Sequence, residues 1–265
     1  MDRELLNKYN QEERLILSKI IDKINFCVKR NSIQVTDFYD LGKQSMIEKF
    51  LKYQKINNYI LYGMHEDSER KIFVFYPEKI EEIVKNNKVN FDEYISIIRI
   101  TLPNDLKGKY NHQRYLGALI KLGVKREKIG DILVDQEGAD LIVQKEVEKF
   151  LLTNLNDLTR FQKAKIEKTN IENIRKIDEK KEIFKITVSS MRLDNIVAEI
   201  THCSRSKAEQ IIEEERVFVN YENITKKTKE IKENDKITIR GKGRFEIKGI
   251  IGNTRSGRYV IEIEK

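Results

Sequence analysis

The sequence predicts an α+β protein in which helices come first, a mixed region of strands and helices follows, and a small helix-and-sheet module comes last. Three observations predict this order. Apolar residues recur at helical spacing through residues 1–54. Between residues 58 and 170, segments with a period of two come first and then alternate with helical segments, as in α+β domains. From residue 183 onward, two short amphipathic helices are accompanied by alternating strands.

These patterns divide the chain into four predicted regions. An N-terminal helical region covers residues 1–54, an α+β domain covers 55–170, and a C-terminal domain that closes with a hairpin covers 183–265. Residues 171–182 are highly charged and lack strong periodicity, so we expect them to form a partly helical linker.

Two amphipathic helices are predicted in the N-terminal region, separated by a cap or turn at Thr36 or Asp37. Nothing in them indicates chemistry, so we interpret the pair as a helical cap on the next domain, and a role as a protein–protein scaffold stays open. The first apolar stripe consists of Leu17, Ile20, Ile21, Ile24 and Val28, and the second of Met46, Ile47, Phe50 and Leu51.

The middle region begins with a predicted hairpin, in which strands at 59–62 and 72–75 flank the polar residues 66–69. A helix that begins near Asn111 is expected to end at Gly123, because glycine is a common helix C-cap. The other predicted elements are a strand at 95–100, paired strands at 132–134 and 139–143, a helix at 145–153 and a strand at 163–166.

The C-terminal region opens with a short predicted helix, which carries its apolar residues at helical spacing and ends near Thr201. A second helix follows at once from Ser204. Strands at 217–219 and 237–239 come next, and a closing hairpin carries Arg255 and Arg258 near its tip. The apolar residues of the two helices are Leu193, Ile196, Val197 and Ile200, then Ala208, Ile211 and Ile212.

The start of the second helix predicts an anion site. Ser204 is a good N-cap, because its hydroxyl can accept from an unpaired backbone N–H. Arg205 and Lys207 lie in the first turn, where the helix dipole disfavours cations unless an external anion binds them. We therefore expect a phosphate site here. We also expect that removing Arg205 and Lys207 does not destabilise the fold. The alternative is that both side chains simply extend into water. A second basic cluster at 240–244 is expected to lie nearby.

Four segments of this region, 192–194, 204–208, 217–220 and 239–245, resemble the alpha-L RNA-binding motif, the S-four-type domain. The resemblance implies two helices packed on a small sheet, with the helix pair binding structured RNA. The motif usually has glycine where Glu215 and Tyr221 stand. The predicted RNA-binding residues are Arg192, Ser204, Arg205, Ser206, Lys207, Lys226, Lys227, Arg240, Lys242 and Arg244.

The middle region resembles the YlmH family of bacterial proteins, through residues 116–119, 122–132 and 136–139. The resemblance implies an RNA-recognition-motif-like α/β sandwich that precedes the C-terminal alpha-L domain, so that with the N-terminal helices predicted above the fold class is α+β. It also implies RNA binding at the ribosome, a part in rescuing large subunits that hold stalled peptidyl-tRNA, and a looser link with cell division.

The middle domain offers a possible secondary RNA-binding surface. Basic residues surround the end of its helix, although each alone is more typical of a solvated face. Aromatic residues of the hairpin could stack on bases, but a period of two sends about half of them into the core. The basic residues are Lys121, Lys125, Arg126 and Lys128, and the aromatic ones are Tyr59, Tyr62, Phe73 and Phe75.

Charge and composition favour a polyanionic partner and indicate no cofactor. The net charge is +8, and no apolar run is long enough to cross a bilayer, so we expect a cytoplasmic protein without a membrane partner. Cys27 and Cys203 indicate no disulfide framework, and the adjacent His202 and Cys203 lack a second pair that would complete a metal site. We expect neither a metal, nor a cofactor, nor a small-molecule substrate.

Two functions remain open from the sequence. The first is a non-enzymatic binder of structured ribosomal RNA or tRNA on the large subunit. The second is an RNA-modifying enzyme of the pseudouridine-synthase kind, because such enzymes carry a similar Arg-Leu-Asp around a catalytic aspartate. Here the triplet belongs to the first helix of the binding motif, and Asp194 is better explained as an acid that complements the helix dipole. No glycine-rich cofactor loop is present.

Overall fold

The computed structural model describes residues 4–65, 68–86, 89–175 and 182–265. The chain divides into two compact units, Met1–Ile177 and Asp178–Lys265. Half of the predicted linker (176–181) and two of the polar residues in the predicted hairpin turn (66 and 67) lie outside the described residues. Among the described helices, none has the length and apolar character needed to cross a membrane.

The first unit begins with two helices and a three-stranded antiparallel sheet. The predicted apolar stripes are confirmed except at Val28, which is 77% exposed, because Cys27 takes the inward position in that turn. Of the two alternatives for Thr36 or Asp37, a cap or a turn, the cap is wrong, because Asp40 caps the second helix by accepting from the Lys43 N–H. The elements are α1 (Gln11–Arg30), β1 (Gln34–Val35), α2 (Leu41–Tyr53), β2 (Tyr59–Tyr62) and β3 (Ile72–Phe75), with strand order β1-β3-β2.

After a short helix, α3 (Glu81–Lys85), the chain forms a four-stranded antiparallel sheet whose strands are connected by two helices. Its order β-α-β-β-α-β and its strand arrangement β5-β6-β4-β7 are those of the ferredoxin-like topology, which RNA-recognition motifs share. The last strand begins two residues later than predicted. The elements are β4 (Ile95–Thr101), α4 (His112–Lys121), β5 (Ile129–Val134), β6 (Gly138–Gln144), α5 (Lys145–Asn154) and β7 (Lys165–Thr169).

Both faces of this sheet are covered. Tyr115 and Leu119 of α4 and Leu151 of α5 pack in the core on one face. On the other face, Ile97 and Ile142 pack with residues of the β2–β3 hairpin and its flanks, so all seven residues of β6 are buried. The hairpin, predicted as the start of the middle domain, shares its sheet with β1 from the N-terminal region. The face on which an RNA-recognition motif would stack bases is therefore part of a core here.

The second unit is a six-stranded antiparallel sheet with two helices packed on it, in the order β10-β9-β11-β12-β13-β8. The predicted helix pair and closing hairpin are confirmed, and the predicted apolar residues of both helices lie in one core with the inward side chains of the strands. The elements are β8 (Ile183–Val188), α6 (Leu193–Thr201), α7 (Arg205–Glu213), β9 (Val217–Val219), β10 (Glu222–Asn223), β11 (Lys236–Ile239), β12 (Gly243–Asn253) and β13 (Tyr259–Glu264).

Two positions explain why the alpha-L motif usually carries glycine on either side of β9. Glu215 has a φ of 57° and Tyr221 a φ of 68°, both in the left-handed region that favours glycine. This chain keeps the backbone path and accepts two side chains there.

Candidate nucleic-acid interface

A buried carboxylate organises the beginning of both helices of the second unit. Asp194 in the first turn of α6 is 0% exposed, and it accepts hydrogen bonds from two guanidinium groups. Arg192 donates through Nε (3.1 Å) and Nη2 (2.6 Å), and Arg205, eleven residues after Asp194, donates through Nε (3.1 Å) and Nη2 (2.8 Å). The carboxylate therefore fixes one arginine from the beginning of each helix. We call Asp194, Arg192 and Arg205 the Asp194 clasp.

The electrostatics of the clasp keep Asp194 charged. Burial by itself would raise the pKa of Asp194, but the hydrogen bonds and charges of Arg192 and Arg205 outweigh burial and lower it. The hydrogen bond to Asp194 likewise raises the pKa of Arg192. The Arg192 and Arg205 side chains are 37% and 51% exposed, and the Nη1 of each takes no part in the bonds to Asp194. Each guanidinium thus retains donors for a second anion.

At the start of α7 the structure shows the predicted N-cap, and it corrects one expectation about the basic residues. The Ser204 hydroxyl accepts from the Lys207 N–H (3.3 Å), which confirms the predicted N-cap, and Ser206 and Lys207 are exposed. The expectation that Arg205 can be removed without loss of stability does not hold, because its guanidinium neutralises a buried carboxylate. Lys207 fits that expectation better, since within the described part of the chain its Nζ donates to the uncharged side chain of Gln210.

Lys226 and Lys227 lie beside the Asp194 clasp. The carbonyl of Lys227 accepts from the backbone N–H of Asp194 (3.1 Å), which fixes this loop at the start of α6. The Lys227 ammonium is paired with Glu209 (3.2 Å) and Glu213 (2.8 Å) of α7, whereas Lys226 is exposed. Of the two, Lys226 is the more available to an external anion.

The predicted basic residues at 240–244 do not lie at the Asp194 clasp. The Arg240 N–H donates to the carbonyl of Arg216 (2.9 Å), which follows the C-terminal end of α7, whereas Arg205 is at the other end. The nine residues of α7 span about 13 Å, so the basic residues around the β11–β12 turn form a second cluster. Arg240 and Lys242 are exposed, and Arg244 is partly exposed.

The possible secondary RNA-binding surface of the first unit consists of four basic residues, two of which are held by contacts within the unit. Arg126 donates to the carbonyl of Ile129 (2.7 Å), and Lys128 is paired with Asp37 (2.5 Å) and Glu146 (2.7 Å). Burial lowers the pKa of Arg126 despite the nearby carboxylates of Asp131 and Asp40. Lys121 and Lys125 are exposed. Two of the four predicted side chains thus have structural partners.

A second buried aspartate, in the first unit, resembles the Asp194 clasp. Asp140 of β6 is 0% exposed and accepts from Arg99 through Nε (2.8 Å) and Nη2 (2.7 Å), and from Arg175 through Nε (3.1 Å). Arg175 also pairs with Asp135, and Arg99 donates to the carbonyl of Asn173 (2.5 Å). We call Asp140, Arg99 and Arg175 the Asp140 clasp.

Sequence reasoning did not identify Asp194 as the residue that orients the arginines. It treated Asp194 as an acid at a helix start, which is true of its position, and treated Arg205 as free. The available signal was the combination of an acid in the first turn of one helix with a cation in the first turn of the next. Only the packing of α6 on α7 brings these side chains together.

Comparisons with known proteins agree with this architecture. Residues 87–173 match the family described as "Putative RNA-binding domain in YlmH", and residues 191–237 match the S4 domain. A relative from Bacillus subtilis (strain 168), "Ribosome-associated protein quality control protein P2", is 25% identical over 272 residues, which cover 99% of this chain and 98% of the relative. A solved structure, "Cell division protein ylmH from Streptococcus pneumoniae", is 20% identical and covers 63% of this chain and 97% of its own, with a TM-score of 0.48. The two family matches confirm the resemblance to the YlmH family and the C-terminal S4 domain, and the structure itself confirms the α+β fold.

Proposed function

We propose that this chain, as a protein of the YlmH type with two RNA-binding domains, binds structured ribosomal RNA or tRNA on the large ribosomal subunit without modifying it. The occasion for binding is a large subunit that holds a stalled peptidyl-tRNA, as in ribosome-associated quality control. A role in ribosome-associated quality control is supported by the Bacillus subtilis relative, a ribosome-associated quality control protein that aligns along nearly the whole chain. A protein that acts on the ribosome works in the cytoplasm.

The observation that carries the proposal is the Asp194 clasp. Arg192 at the start of α6 and Arg205 in the first turn of α7 are partly exposed, and the buried carboxylate holds both guanidinium groups in position. Arginine and a helix N-terminus are both favourable partners for phosphate. Because the arginines are oriented before RNA arrives, binding costs less side-chain entropy. Lys207 and Lys226 are exposed and add positive charge to this part of the unit.

The same geometry favours a binder over a pseudouridine-synthase-like enzyme. A catalytic aspartate must reach its substrate, but Asp194 is fully buried and both of its carboxylate oxygens accept hydrogen bonds from guanidinium groups. In the proposed role Asp194 is a positioning residue, which acts through the two arginines.

The experiment neutralises one lysine of the second unit at a time. It measures the affinity of each variant for large subunits that hold peptidyl-tRNA and for large subunits that do not. Lys207→Gln removes a proposed phosphate contact, and Lys185→Gln removes an exposed lysine of β8 as the matched control. We expect Lys207→Gln to weaken binding about fivefold near physiological salt and to lower the salt slope by about one unit. Equal affinities for the two variants would contradict the site, and equal binding to empty and peptidyl-tRNA-bearing subunits would contradict the proposed occasion.

A further inference from the structure

The outer face of the second unit's sheet carries two arginine–aromatic contacts that the phosphate site does not use. The Arg240 guanidinium lies over the ring of Phe218, 5.1 Å from its centre, and the Arg244 guanidinium lies over Tyr221 at 5.5 Å. Phe218, Thr238 and Arg244 are directly opposite one another on β9, β11 and β12, so their side chains share one face.

This face is the one turned away from the helices. The alternate residues of the same strands, such as Val219, Ile237 and Phe245, lie in the core with α6 and α7. Phe218, Tyr221 and Arg244 are partly exposed, and Arg240 is exposed. The face therefore presents aromatic rings and guanidinium groups together.

Tyr221 stands at a position where the backbone favours glycine. Its φ is 68°, it follows Asn220 at 49°, and the motif that this region resembles usually has glycine there. A bulky residue in the left-handed region is uncommon and costs backbone strain. The sequence keeps an aromatic ring at a position where a smaller residue would be easier to place.

We propose that this face is a second RNA site, which binds unpaired nucleotides by stacking their bases on Tyr221, Phe218 and the guanidinium planes beside them. The inference rests on the proposed RNA binding and adds the kind of RNA that this face selects. Stacking on aromatic rings and on arginine is how proteins hold single-stranded bases, whereas duplex RNA hides its bases from such contacts.

Charge complementarity supports an RNA occupant over an apolar partner. Arg216, Arg240 and Lys242 surround the β11–β12 turn with exposed cations, which suit the phosphates on either side of a stacked base. On the same strands, Glu246 is paired with Lys248 at 2.6 Å, so its charge is neutralised within the protein.

The test uses the full chain and two probes, a short oligoadenylate and a blunt RNA duplex of matched length. Tyr221→Gly removes the ring and relieves the strained φ, so the melting temperature should be no lower than that of wild type. Oligoadenylate binding should weaken about fivefold or more, with duplex binding unchanged. Fluorescence of 2-aminopurine in the oligoadenylate should be quenched by wild type and less by the variant. Phe218→Leu, which keeps apolar bulk on β9, should act in the same direction.

Asn234→Gly is the matched control, because Asn234 has the same φ of 68° and the exchange removes neither a ring nor a charge. It should change neither affinity. Unchanged oligoadenylate affinity in Tyr221→Gly, no oligoadenylate binding by wild type, or equal losses for both probes would overturn the second site. Failure of the proposed function is distinguishable, since Lys207→Gln would then leave duplex binding unaltered.

Discussion

The Asp194 clasp and the Asp140 clasp are built from the same parts, a fully buried aspartate between two arginines, yet their arginines differ in exposure. The Arg99 and Arg175 side chains of the Asp140 clasp are 23% and 9% exposed, against 37% and 51% for Arg192 and Arg205. Arg175 also pairs with Asp135, so two guanidinium groups face two carboxylates. In the Asp194 clasp, Arg205 also pairs with a second carboxylate, Glu209, at 3.5 Å, so the two clasps differ in the exposure of their arginines and not in the number of carboxylates.

This difference separates a structural role from a binding role. The arginines around Asp140 donate hydrogen bonds within the unit, to carboxylates and to the carbonyls of Asn173 and Ile100. Those around Asp194 keep outward donors at a helix N-terminus. A buried ion pair taken alone says little about function, because structural networks and binding sites both contain them. The remaining donor capacity is what distinguishes the two clasps.

The largest expected effect is on stability, at Asp140. Asp140→Asn leaves Arg99 and Arg175 without their shared buried carboxylate, which should cost about 3–5 kcal/mol of unfolding free energy. Asp157→Asn, an exposed carboxylate of the same unit, should change it by less than about 0.5 kcal/mol. Denaturant titration checks both variants. A loss at Asp140 no greater than at Asp157 would remove the structural role.

Asp194→Asn should cost less stability and more binding. Its arginines are partly exposed, so water can solvate them again, and we expect a loss of about 1–3 kcal/mol. RNA affinity should fall, because Arg192 and Arg205 lose their fixed orientation although the net charge rises by one. Glu233→Gln makes the same charge change at an exposed carboxylate and should not weaken binding. A gain in affinity for Asp194→Asn would mean that the carboxylate merely competes with RNA.

Conservative exchange of one arginine in each clasp should give opposite results. Arg175→Lys loses the planar fork that joins Asp135 and Asp140, and should lower the melting temperature without changing RNA affinity. Arg205→Lys keeps a cation beside Asp194 at an exposed position. It should lower RNA affinity while changing the melting temperature little. Thermal unfolding and filter binding of both variants decide this, and parallel effects in the two would erase the distinction.

The smallest expected effect is the change in stability at acidic pH. Because the folded-state pKa of Asp194 is lowered, its contribution to stability is complete above the unfolded value of about 4 and is lost as pH falls through the folded value. The stability difference between wild type and Asp194→Asn should therefore be constant from about pH 5 to 8 and shrink below about pH 4. Denaturant titrations across this range measure it, and a difference that shrinks between pH 5 and 7 would point to another group.

Much of the secondary structure could be predicted from local pattern, but the contacts that separate the clasps could not. The stripe of α6 and the cap at Ser204 are set by neighbouring residues, so periodicity and capping rules find them. Arg205 meets Asp194 only after two helices pack, and β1 has two residues, too few for a period. The covering of the four-stranded sheet by the β2–β3 hairpin likewise depends on tertiary contacts.

The central claim is that the Asp194 clasp contacts RNA phosphates and the Asp140 clasp does not, and the salt dependence of affinity tests it most directly. Affinity for one structured RNA should be measured against salt concentration for wild type, Arg205→Gln and Arg175→Gln, each at a temperature where the variant is folded. The account predicts that the slope flattens by about one unit for Arg205→Gln and matches wild type for Arg175→Gln. A wild-type slope for Arg205→Gln would contradict it.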